Sequence, residues 1–232
     1  RPRATGWRWC ACALVVTAVV LTLSNGGMLA LITATVAGWL FAVARRRGPL
    51  VAAGAAAFLA VAAAAAVATI DVHDAMVRAE QASPMARDSI GRQIESSDSR
   101  STLTREAARM WFAGQDVLGL GPGNTLATLR SRQAGYVKEA HSDYLAAILE
   151  RGVLGGLALT VLATAIAVRA RRISRPRGVS PPFREVVPRP ELLAAAVVAI
   201  AVSALFYEVL HFRHVWALLG LIAALELTGR RR

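Results

Sequence analysis

Six runs of apolar residues divide this chain, at 7–23, 28–44, 50–70, 144–168, 192–209 and 215–227. Their lengths approach the ~20 residues an α-helix needs to cross a bilayer's hydrocarbon core. Inside lipid, backbone N–H and C=O groups find no water, so such runs fold as helices that satisfy themselves. The apolar residues are mostly Ala, Leu and Val, in a chain that is 55% hydrophobic but only 6% aromatic. These residues form helices readily and tolerate lipid. The expectation is an all-α fold: a polytopic transmembrane helix bundle of about six spans. Residues 1–70 would hold three spans, 71–143 a large extracytoplasmic loop, and 144–232 three more spans. Residues 1–23 have a basic start and an apolar stretch, as a signal peptide does, but no small-residue cleavage site follows, so they read as a membrane helix. The chain starts at Arg1 rather than Met, which suggests a fragment or an excised domain.

Charge orients the bundle. The net charge is +12, and Lys138 is the only lysine. A basic balance can serve nucleic acid, but here the arginines cluster just beyond apolar runs, where they set topology. With the N-terminus cytoplasmic, 16 of the 27 basic residues fall inside, at Arg1, Arg3 and Arg8, Arg45 to Arg47, the irregular linker near 169–190, and Arg230 to Arg232. The other 11 are spread mainly over the long loop, where charge counts little for orientation. The reading is a multi-pass protein of the cytoplasmic (inner) membrane, with both ends of this segment cytoplasmic. Its partners would include membrane lipid and no nucleic acid.

The outer side then carries the turn Ser24-Asn25-Gly26-Gly27, the loop 71–143 and the turn around His211-Phe212-Arg213-His214. Within the loop, 104–113 reads as a short amphipathic helix. Gly119-Leu120-Gly121-Pro122-Gly123-Asn124 is a strong turn signal. Cys10 and Cys12 are too few for a disulfide framework or a metal site. Asp71-Val72-His73-Asp74 contains metal-ligand residue types, but neighbours at a helix end seldom converge, so a wet helix terminus is the better reading. No metal and no cofactor is expected. No Walker loop, zinc motif or nucleophile elbow is present.

The densest chemistry lies in 100–150: Arg100, Arg105 and Arg109, the glycine run, then His141-Ser142-Asp143. Ionisable groups at a membrane boundary beside a glycine-rich loop suit an anionic ligand. Guanidinium groups bind phosphate oxygens in bidentate fashion, and an imidazole can take a hydroxyl proton near neutral pH. The backbone N–H groups of Gly121 and Gly123 could also face an anion, though such a run is more often only a turn. Asp143 could orient His141 or cap the helix that follows, and capping is the better reading. Glu208, His211, Arg213 and His214 either line the same cavity or form an exposed turn.

Four features, in order, resemble the O-antigen ligase and polysaccharide polymerase family of membrane glycosyltransferases. Leu21-Thr22-Leu23-Ser24-Asn25-Gly26-Gly27 is similar to the family's Ser-Arg-Gly turn. Ser99-Arg100 precedes a helix with Trp111. Gly119-Leu120-Gly121-Pro122-Gly123-Asn124 is close to a Gly-x-Gly-x-Gly-Asn loop. Ala140-His141-Ser142-Asp143-Tyr144-Leu145, with Glu150, Gly152 and Gly155, resembles a His-Asn-x-x-Leu…Glu-x-Gly-x-x-Gly pattern. The likeness covers the C-terminal half of a family that has about twice as many spans.

The resemblance implies metal-independent glycan transfer at the outer face, in synthesis of a lipopolysaccharide-like cell-envelope polysaccharide. The donor would be a polyprenyl-pyrophosphate-linked glycan, and the acceptor a sugar hydroxyl on a glycan or glycolipid. His141 would be the catalytic base, with Arg100 and Arg105 on the pyrophosphate. Asp143, Asn25, Gly121, Gly123, Asn124, His211 and Arg213 would be supporting residues. Two departures stand out: Asn25 replaces the family's arginine, and Ser142 replaces its asparagine. They leave open a non-catalytic relative that acts as a partner subunit. A permease is the rival from another class, but the spans hold no evident buried charge pair.

Overall fold

A computed structural model describes residues 3–22, 24–69, 102, 105, 106, 109, 111, 117–131, 142–175 and 178–230. Among these, eight α-helices and no strands are present: α1 (Arg3–Leu21), α2 (Asn25–Arg47), α3 (Pro49–Thr69), α4 (Asn124–Ser131), α5 (Asp143–Ile173), α6 (Pro181–Val186), α7 (Glu191–Ser203) and α8 (Arg213–Arg230). A short 3-10 turn, Val209–His211, lies between α7 and α8. The Asp71-Val72-His73-Asp74 segment lies outside the described residues, as does most of the expected 104–113 helix. Arg105, Glu106, Arg109 and Trp111 of that helix are helical.

Helix ends follow local rules. Ser24 caps α2 by accepting the Gly27 N–H at 3.2 Å. Arg45, Arg46 and Arg47 close its last turn, where cations favour the carbonyl end. Gly48 then takes φ 93°, its N–H reaching the Ala44 carbonyl at 3.0 Å, and Pro49 opens α3.

Two helices are long and apolar enough to cross a membrane, Gly26–Arg47 and Asp143–Ile173, and only 11% of each span's window is buried. Large apolar side chains such as Trp7, Leu14, Phe58 and Val161 point outward. Apolar helices this exposed are not the core of a water-soluble fold. The remaining expected spans correspond to shorter apolar helices or, for 215–227, to α8.

Small residues let α2 approach α7 closely. A Cβ on Gly38 would meet Leu192 at 3.3 Å and Ala195 at 3.6 Å, and Ala37, Ala194, Ala195 and Ala199 are buried. At the basic end of the bundle, two carboxylates are clamped by arginines. Arg45 reaches Glu191 at 2.7 Å. Arg169 and Arg172 reach Glu226, which is only 2% exposed, at 3.4 and 3.0 Å. Ile173, Val179, Ile222 and Leu225 pack beside this second clamp.

The fifth expected span, 192–209, is interrupted: α7 ends at Ser203 and the chain turns through 204–208 before the 3-10 turn. At 1.5 Å per residue, α7 and α8 reach roughly 20 Å up from their clamps, whereas α2 and segment 153–173 reach about 30 Å.

Candidate functional site

The candidate site grows from two breaks in helical structure and the segments that fill them. The first break is inside α5, at Gly152, with φ 63° and ψ −156°. The chain folds back there, so that the Ala147 carbonyl lies against Gly155 and Ile148 against Gly156. The glycine-rich loop occupies the break. Leu120 N–H donates to the Leu149 carbonyl at 2.8 Å, Gly121 N–H to the Glu150 carbonyl at 2.9 Å, and Val153 N–H to the Val117 carbonyl at 3.0 Å. A side chain on Gly119 would strike the Gly152 backbone, and one on Gly152 would strike Val117 and Leu118. Two glycines are required because two backbones touch. Asn124 fixes the turn by donating its side-chain amide to the Leu120 carbonyl at 2.9 Å. Buried Thr125 donates its hydroxyl to Glu150 Oε1 at 3.0 Å. The Gly121 N–H is therefore taken by protein and does not face an anion.

The second break is the α7–α8 connection, and Ser142 and Asp143 staple it. Ser142 caps α5 and donates its hydroxyl to the Ala204 carbonyl at 3.2 Å, while the Asp143 N–H reaches the same carbonyl at 3.0 Å. The Asp143 carboxylate, in a residue 6% exposed, accepts the N–H of Val209 at 2.8 Å and of Leu210 at 3.2 Å. Irregular backbone amid apolar surroundings needs such partners, and here one Ser-Asp pair satisfies groups at Ala204, Val209 and Leu210. Tyr144 adds a bond to the Ala201 carbonyl at 2.9 Å, and Trp216 donates to the Leu210 carbonyl at 2.7 Å. The Tyr207 ring lies on Gly26, which ties the Ser24-Asn25-Gly26-Gly27 turn to the same connection. His211 Nδ1 stands 3.2 Å from Glu208 Oε2, and the His211 side chain is exposed. Beneath Asp143 and Tyr144 lies an apolar cavity of about 400 Å³ between α5, α7 and α8, with Leu162, Ile166, Val197 and Leu219 in its wall.

The structure thus joins three of the sequence features that carry the resemblance. The 24–27 turn touches the α7–α8 connection, that connection is held by Asp143, and α5 holds the glycine loop with Asn124. Gly121 and Gly123 lie in that loop, and Arg213 opens α8. Arg105 is helical and exposed. Asn25 begins α2, and only its backbone is described. Arg100 and His141 lie outside the described residues, although His141 is separated from Asp143 by Ser142 alone. Sequence reasoning did not single out Tyr207 or Thr125. Tyr207 sits inside an apolar run and carries no local signal. Among the described residues, no group of three or more His, Cys, Asp or Glu could hold a metal ion.

No curated relative and no solved structure matches the chain. A family model described as O-antigen ligase matches residues 10–160, from within α1 through the glycine loop and past the Gly152 break. That match takes in well over half of the sequence, and the chain belongs to the O-antigen ligase family.

Proposed function

We propose that this protein transfers a glycan from a polyprenyl-pyrophosphate donor to a sugar hydroxyl at the outer face of the cytoplasmic membrane. The observation that carries the reading is the family match over 10–160, supported by the convergence of the 24–27 turn, the glycine loop and the Ser142-Asp143 staple on one end of the bundle. The acceptor oxygen bonds to the donor's anomeric carbon as the bond from that carbon to the pyrophosphate oxygen breaks. The bonding pair leaves with the lipid pyrophosphate, and the hydroxyl proton goes to His141. Arg100 and Arg105 hold the departing anion through charge-assisted hydrogen bonds. The chemistry asks for no metal or cofactor beyond these cations. The arginine clusters at the basic end face the cytoplasm in this reading, following the rule that loops left inside carry excess positive charge.

One feature favours a second reading. Asn25 stands where the resemblance expects an arginine, so a partner subunit that binds but does not transfer is the alternative. Complementation of a transfer-deficient host separates the two, using wild type, His141→Ala and Arg100→Ala at matched membrane expression. Restored surface glycan with wild type and its loss in both variants is the expected result. Failure of wild type in a host that supplies the donor would favour the partner reading.

A further inference from the structure

The family match ends at residue 160, yet two of the matched segments are held by a connection more than forty residues beyond it. Tyr207 packs on Gly26, and the N–H groups of Val209 and Leu210 bond Asp143. The next residues of that connection present their side chains outward. His211 is 74% exposed, with Nδ1 on Glu208 at 3.2 Å. Phe212 is 51% exposed and stacks on His214, with ring centroids 5.4 Å apart and planes 19° from parallel. The backbone beneath is pinned on both sides, by Asp143 and by the Trp216 indole. This is a rigid platform rather than a loose turn.

Its chemistry is that of a sugar ring. One face of a pyranose is a patch of C–H groups that rests on an aromatic plane, while its rim of hydroxyls both donates and accepts hydrogen bonds. The stacked Phe212 and His214 rings offer the plane. The Glu208 carboxylate accepts from His211 Nδ1–H, which orients the ring and leaves Nε2 turned outward to meet a hydroxyl. Arg213, exposed between the two histidines, offers donors. Sites for small ligands combine such an apolar surface with a few placed polar groups.

We infer that the α7–α8 turn, through His211, Phe212 and His214, forms the subsite for the acceptor glycan. The inference rests on the transferase reading for the word acceptor, while the sugar-binding surface itself stands on the geometry of the turn. His211 and Phe212 are exposed, so replacing them leaves the packed core intact.

The test uses the complete protein in lipid nanodiscs and free oligosaccharide released by mild acid from the source cell's own surface glycan. Wild type and His141→Ala are expected to bind it equally, while His211→Gln and Phe212→Leu each bind about tenfold more weakly or worse. In transfer assays the same two substitutions raise the KM for acceptor and leave the KM for lipid-linked donor unchanged. Wild type that binds no oligosaccharide overturns the inference, as do variants that bind like wild type. An aromatic belt that only anchors the helix end in the membrane interface gives that second outcome. A protein that binds sugar through the turn but transfers nothing keeps this inference and removes the transferase reading. Transfer with an acceptor KM indifferent to both substitutions does the reverse.

Discussion

Asp143 shows how one carboxylate can decide local structure. Buried to 6% exposure, it replaces the helical partners that Val209 and Leu210 lack. A hydrogen bond to a charged group contributes roughly 1.5–3 kcal/mol, so Asp143→Ala should destabilise the protein by about 3 kcal/mol. Thermal unfolding in nanodiscs checks this, and an unchanged midpoint would contradict the staple. Asp143→Asn keeps one acceptor and should lie between. At this scale the sequence was only partly legible. The choice between orienting His141 and capping a helix presumed that Asp143 acts near its own position in the chain. Its carboxylate instead serves residues 66 and 67 positions away, a pairing no local pattern announces. Gly26 was visible as a turn glycine, but its reason, the Tyr207 ring, was not.

The elements themselves were largely written in the apolar runs. α2 ends with Arg45 to Arg47, the basic run that closes the 28–44 apolar stretch, because charge at a helix end acts within one turn. The two breaks were harder to see. Gly152 lies in an apolar run, where glycine is commonplace in membrane helices, and only the paired glycine loop reveals the chain reversal. Likewise 204–210 stays apolar in composition, so hydropathy carries the fifth span straight through the turn. What stops the helix there is tertiary bonding. Gly152→Ala would place a side chain at φ 63° and against Val117 and Leu118. Backbone strain alone is about 1–3 kcal/mol, and the clash adds to it. Limited proteolysis should then cut segment 117–131 faster than in wild type, and Gly119→Ala should do the same. Gly54→Ala, with open space around it, should leave the cleavage rate unchanged.

For the whole molecule, the basic end carries the arginine–carboxylate clamps and the opposite end the two breaks that the proposed reaction would use. Glu226 is 2% exposed, but Arg169 and Arg172 are 34% and 45% exposed. Breaking a fully buried pair costs roughly 3–5 kcal/mol. Here the arginines can rehydrate, so Glu226→Gln should cost about 2 kcal/mol, read as a lower unfolding midpoint with no change in any substrate KM. The proposed topology sets the two ends on opposite sides of the membrane. A cysteine at Arg47, in a background without Cys10 and Cys12, should resist an impermeant thiol reagent in intact cells, and one at Leu118 should react. The reverse pattern would invert the bundle. The central claim is glycan transfer, and reconstitution tests it most directly. Purified complete protein is mixed in liposomes with a polyprenyl-pyrophosphate-linked glycan and a sugar acceptor, and product and released lipid pyrophosphate are both counted. One equivalent of lipid pyrophosphate per glycan joined to acceptor is expected, abolished by His141→Ala. Donor and acceptor that both remain intact, under conditions where a known transferase consumes them, would contradict it.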